Sequence, residues 1–115
     1  MFVDEVREFA LSLPKVTEDF PFDEETLALR IGGKIFALMP LEKQSSINLK
    51  CDPERAVLLR EEFEAIQPGY HMNKKMWNTV NYAHLSANLT RELIQHSYDL
   101  VLNSLTKKQR GELGF

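Results

Sequence analysis

Two short alternating runs separated by a diglycine constrain this chain more than any other feature. Thr26 to Ile31 alternates Leu27, Leu29 and Ile31 with Thr26, Ala28 and Arg30. Lys34 to Met39 sets Phe36 and Leu38 opposite Ile35, Ala37 and Met39. A period of two belongs to a strand with two different faces. Gly32-Gly33 suits a two-residue hairpin turn, because both positions tolerate positive φ. The two runs therefore predict an antiparallel hairpin. A third run, Ser45 to Cys51, sets Ile47, Leu49 and Cys51 against Ser46, Asn48 and Lys50, and predicts a strand with one wet face.

Helical signals bracket these strands. Phe2, Val6, Phe9, Ala10 and Leu13 fall on one helical face, and Pro14 ends that helix soon after Ser12. Residues 15–25 form an acidic connection, in which Phe20 and Phe22 are expected to plug the edge of the core. Asp52-Pro53-Glu54 is a helix start: a capping carboxylate, proline at the first helical position, and an acid near the positive end of the dipole. Ala56, Leu59 and Phe63 supply its buried stripe. Short strands follow at 65–70 and 77–82. A last helix begins near Ser86 or Asn88 and runs to about Leu105, with Leu93, Ile94, Val101 and Leu105 facing the core and Tyr98 flanking them. The basic tail beyond it is expected to fray.

The expected order is α-β-β-β-α-β-β-α, an α+β class in two layers. The sheet is antiparallel and the helices pack on one face. At 115 residues the chain is read as one domain, 1–115. No apolar run approaches a membrane span, the acidic amphipathic N-terminus is unlike a secretory signal, and Cys51 is the only cysteine. A cytoplasmic protein with no membrane partner is the expectation.

Net charge is −3, unevenly spread: residues 1–66 carry −6 and residues 67–115 carry +3. Phosphate affinity comes mostly from Lys/Arg, so the acidic whole disfavours indiscriminate nucleic-acid binding while leaving room for a local basic patch. Signatures of common enzymes are missing: no dinucleotide or P-loop glycine pattern, no G-x-S-x-G, no H-E-x-x-H. His96 has Glu92 and Asp99 on its helix, which reads as a solvated charge cluster, and Cys51 reads as a buried, inert thiol. No cofactor, no metal site and no catalytic residue is expected.

The segment Pro68-Gly69-Tyr70-His71-Met72-Asn73-Lys74-Lys75-Met76-Trp77-Asn78-Thr79-Val80 differs from the rest in kind. A short strand connection is usually made of Gly, Asn, Asp or Ser. Here Lys74 and Lys75 suit phosphates, Asn73 and Asn78 suit bases or backbone, Trp77 suits stacking, and His71 adds a donor near neutrality. A structural reading stands beside this one: turn residues, loop amides satisfied by Asn73, Met72 and Trp77 in the core, and solvated lysines.

That segment resembles the hallmark of the MmcQ/YjbR family of small bacterial proteins. The resemblance extends through Leu11-Ser12-Leu13-Pro14-Lys15-Val16-Thr17-Glu18, Phe20-Pro21-Phe22, Gly33-Lys34-Ile35-Phe36-Ala37, Leu49-Lys50-Cys51-Asp52-Pro53-Glu54 and His96-Ser97-Tyr98-Asp99-Leu100-Val101. It implies the same two-layer arrangement, and similarity to a double-wing DNA-binding domain. The family motif often has His where this chain has Met76; thioether packs well but carries no proton chemistry. The resemblance implies DNA binding; with the residue chemistry above and the missing enzyme signatures, the expectation is a non-enzymatic, monomeric or weakly dimeric module binding double-stranded DNA through His71, Asn73, Lys74, Lys75, Trp77 and Asn78. An alternative is an adaptor for a small ligand or a protein, using the open sheet face with Asn48, Lys50 and Thr79.

Overall fold

A computed structural model describes residues 1–42, 45–69 and 72–115. In chain order the elements are α1 (Val3–Ser12), β1 (Thr17–Asp19), β2 (Thr26–Ile31), β3 (Lys34–Pro40), β4 (Ser46–Lys50), α2 (Pro53–Glu62), β5 (Ile66–Pro68), β6 (Trp77–Asn81), a 3-10 turn at Tyr82–His84, α3 (Ala87–Ser104) and α4 (Lys107–Glu112). The expected order stands, with β1 and α4 added in segments that the sequence suggested were irregular. α4 forms because Thr106 caps it, accepting the Gln109 N–H at 3.0 Å while Gln109 returns the bond.

Among the described residues, six strands form one antiparallel sheet in the order β1-β2-β3-β4-β6-β5. Gly32 and Gly33 both take positive φ, +61° and +79°, as the hairpin demands. Gly32 is also fixed by space: a Cβ there would sit 2.7 Å from Leu105 Cδ1, at the end of α3. The helices cover one face, where Leu27, Leu29, Ile47, Leu49 and Val80 are buried against Val6, Ala10, Leu93, Ile94 and Val101. No described helix is long and apolar enough to cross a membrane.

Four expectations about side-chain placement are corrected. Strict alternation fails in β3, because Leu29 pairs with Ala37 but Arg30 pairs with Ile35. Phe36 is the extra residue of this bulge, so it and Ala37 are both fully buried, and the Phe36 ring meets the edge of Tyr98 with centroids 5.6 Å apart. Ser97, also buried, secures the bulge: its Oγ donates to Phe36 O at 2.6 Å and accepts the Lys50 N–H at 2.9 Å. Tyr98 therefore lies in the core rather than beside it, its hydroxyl donating to Pro14 O at 2.7 Å. Phe20 and Phe22 do not plug the core; they are 47 % and 66 % exposed. Phe2 is 80 % exposed at the head of α1, where Glu5 accepts its N–H.

Candidate functional site

The described residues between β5 and β6, 69 and 72–76, are held by backbone hydrogen bonds. Gly69 N–H donates to Trp77 O at 3.0 Å, and both Met76 and Trp77 N–H groups donate to Asn73 O at 3.1 and 2.9 Å. Asn73 Oδ1 accepts the Lys75 N–H at 3.0 Å, a local side-chain turn. Met76 O accepts the Cys51 N–H at 2.7 Å, which ties the turn to the end of β4. The result is a short, braced turn with Asn73, Lys74 and Lys75 exposed on it.

The six sequence-predicted site residues separate into distinct positions. Lys74 and Lys75 lie on the outer surface of the turn. Asn73 lies beside them with its carbonyl oxygen committed to the turn itself. Trp77, half-buried, opens β6 directly opposite Lys50 on the face away from the helices. Asn78 belongs elsewhere: it is 2 % exposed, on the helix side, accepting from Arg60 Nη1 at 2.7 Å and donating to Ala56 O at 3.4 Å. The period of two that brings Trp77 out turns Asn78 in, so its amide is not presented at the surface. His71 lies outside the described residues.

Arg60 is a residue that sequence reasoning missed. Besides holding Asn78, its Nη1 donates to Lys74 O at 3.2 Å. A buried amide thus positions the lysine turn through a guanidinium on α2. Only the i, i+18 separation of Arg60 and Asn78 was available in sequence, and it carries no periodic signal.

Register sorts the charges along the strands. Lys34 starts β3, Lys50 ends β4, and Lys74 and Lys75 precede β6, so antiparallel pairing brings all four to the same end of the sheet. Glu24 and Glu25 precede β2, Glu42 follows β3 and Glu64 precedes β5, all at the opposite end. Acids near the lysine end are engaged: Asp52 accepts the Arg55 N–H at the start of α2, Glu92 pairs with Arg55, and Asp19 with Arg30. Glu54, in the first turn of α2, adjoins them.

The remaining candidates are structural in their contacts. His96 accepts the Asp52 N–H at Nε2, 3.2 Å, joining α3 to the start of α2. Cys51 is buried, and that desolvation pushes its thiol pKa up, opposite to activation.

The open face of the sheet carries a cleft of about 620 Å³. Its floor crosses β3, β4 and β6 at Leu38, Asn48 and Thr79, which are neighbours in register. Phe22 and Met72 also line it, and Thr26, Pro40 and Ser46 carry it to the acidic end of the sheet. Thr79 Oγ1 donates to Asn48 Oδ1 at 2.5 Å.

Comparisons with known proteins agree on one family. A family model described as YjbR matches residues 11–100. The Escherichia coli O157:H7 protein YbdF, named as uncharacterized, is 42 % identical over 106 residues, covering 90 % of this chain and 87 % of its own. YjbR of Escherichia coli K12, likewise named as uncharacterized, is 26 % identical over 115 residues, covering 96 % of this chain and 95 % of its own. A crystal structure of a Deinococcus radiodurans protein with a DUF419 domain superposes with a TM-score of 0.91 at 40 % identity, covering 98 % of this chain and 88 % of that one.

Proposed function

The chain belongs to the YjbR family, and from that premise we propose that it is a binding module anchoring the phosphates of double-stranded DNA at the lysine end of its sheet. The observation that carries this reading is the register that gathers Lys34, Lys50, Lys74 and Lys75 at one end, away from Glu24, Glu25, Glu42 and Glu64. A net charge of −3 matters less than this separation, since the potential at a surface decays within about 10 Å at 0.1 M salt. The acidic end also orients the module, because it is repelled by the same phosphates that the basic end attracts.

Lys74 and Lys75 act as point charges on backbone phosphates. Trp77 and Asn73 border them, and Arg60 with Asn78 holds their turn from inside. Backbone contacts of this kind position a protein without reading sequence. Anisotropy with a labelled duplex at two salt concentrations tests the reading. The Lys74→Ala/Lys75→Ala protein should bind unrelated duplexes more weakly by a similar factor, with a log–log salt slope smaller by about 0.9 for each lost contact. Wild-type protein that fails to bind duplex at low salt and micromolar concentration overturns it.

A further inference from the structure

The phosphate-anchoring reading uses one end of the sheet and leaves the open-face cleft without a role. The cleft's volume, about 620 Å³, is that of an ordinary small-molecule site, for which ~300–1,000 Å³ is typical. Its lining is mixed in an ordered way. Phe22, Met72, Leu38 and Pro40 are its apolar residues, and Thr26 and Ser46 add hydroxyls at the acidic end of the sheet. Asn48 and Thr79, paired across β4 and β6, supply directional polar groups. Asn48 Oδ1 takes the Thr79 hydroxyl, which leaves its Nδ2 donors for an incoming acceptor.

Two further features specify the occupant. Phe22 is 66 % exposed, and its ring adjoins the cleft rather than the core. An exposed ring beside hydrogen-bonding groups suits a flat ligand with acceptors on its edge. The second feature is charge, which differs between the two ends of the cleft: at one end Asp23 accepts the N–H of the lining residue Thr26, so an anion is directed to the other. On β4, Lys50 lies two residues from Asn48 on the same face, about 7 Å along the strand, and faces Trp77 across the ladder. A cation at the end of the polar row suits an anionic group carried by that flat ligand.

We infer that the open-face cleft receives a nucleotide, its base between Phe22 and Met72 over the Asn48–Thr79 pair and its phosphate toward Lys50. The inference deepens the phosphate-anchoring reading and rests on it for the anion. It predicts that the module prefers an unpaired nucleotide to a paired one, because a base inside a duplex presents no free face or edge to the cleft. A free mononucleotide and an unpaired nucleotide in a strand share this chemistry.

Three probes separate the possibilities: a duplex, a single strand of the same sequence, and adenosine monophosphate. The single strand should bind more tightly than the duplex. Phe22→Ala should weaken single-strand binding roughly 5- to 150-fold, the range for loss of one base–aromatic stack. Duplex binding should be unaffected, and Phe22→Trp should restore the lost affinity. Asn48→Asp, which replaces the donors with a negative charge, should weaken the single strand likewise, with circular dichroism confirming the fold. Adenosine monophosphate shifting the Asn48 side-chain amide resonance identifies a free nucleotide as a sufficient ligand; a shift with the single strand alone assigns the cleft to strands. Equal wild-type affinity for single strand and duplex, both indifferent to Phe22→Ala, overturns the cleft assignment while leaving phosphate anchoring intact. No binding of any probe overturns both.

Discussion

Arg60 on α2 donates to the buried Asn78 Oδ1 at 2.7 Å and, from the same nitrogen, to the backbone carbonyl of Lys74. This relationship divides the segment Lys74-Lys75-Met76-Trp77-Asn78 into an outer part that meets solvent and an inner part that holds it in place. Asn78→Ala should destabilise the fold by about 1–3 kcal/mol, because a part-buried guanidinium loses its acceptor. Denaturant midpoints measure the cost. A neutral substitution would show that the turn is braced by its backbone bonds alone.

The start of α2 rests on Asp52, whose Oδ2 accepts the Arg55 N–H at 3.1 Å with Pro53 following at the first helical position. Asp52→Ala should cost about 0.5–2 kcal/mol by urea titration, while Asp52→Asn should cost less because the amide oxygen still caps. The neighbouring Cys51 gives an independent check. Its buried, upward-shifted thiol should react slowly with a disulfide reagent in the native protein at neutral pH and rapidly once the chain is unfolded.

Acid stability should depend on two carboxylates with lowered pKa values. The Arg7 hydrogen bond holds Glu18 below its ordinary value, and the Glu25 and Thr26 N–H groups do the same for Asp23. Both groups bind protons more weakly when folded, so their contribution is complete above the ordinary carboxylate range, near about pH 4. It is lost as pH falls through the depressed folded values. Glu18→Gln should therefore lower the melting temperature slightly at pH 7 and leave it unchanged at the acid end. The pair is solvent-exposed, so the loss at pH 7 should not exceed about 1 kcal/mol. A larger effect at acid pH than at pH 7 would contradict the assignment.

Most of the fold could be read from periodicity. Leu27, Leu29 and Ile31, then Ile47, Leu49 and Cys51, are buried where the pattern puts them, although Ala28 on the other face of β2 is buried as well. The Asp52-Pro53 start and the Ser86 cap belong to local chemistry that sequence reports well. Phe36 escaped because a bulge adds one residue, and nothing within Ile35-Phe36-Ala37 announces it; the Ser97 hydroxyl that secures it is distant in sequence. Phe20 and Phe22 escaped for a different reason. Large apolar residues default to burial, and only tertiary structure reveals a ring bordering a cleft. At the candidate site, the lysine turn was legible from composition. The inward direction of Asn78 followed from strand parity, but its Arg60 partner required the packing of α2 on β6.

Amide chemical-shift mapping of an isotopically labelled sample titrated with a short duplex at low salt tests the central claim most directly. Phosphate anchoring at the lysine end predicts that perturbed amides cluster at Gly33, Lys34, Lys50 and Asn73 to Trp77, and that the perturbations shrink together as salt is added. Amides at Glu24, Glu25, Glu42 and Glu64 should stay unmoved, since they occupy the opposite strand ends. Perturbations confined to that acidic end, or a spectrum unchanged by saturating duplex, would contradict the account.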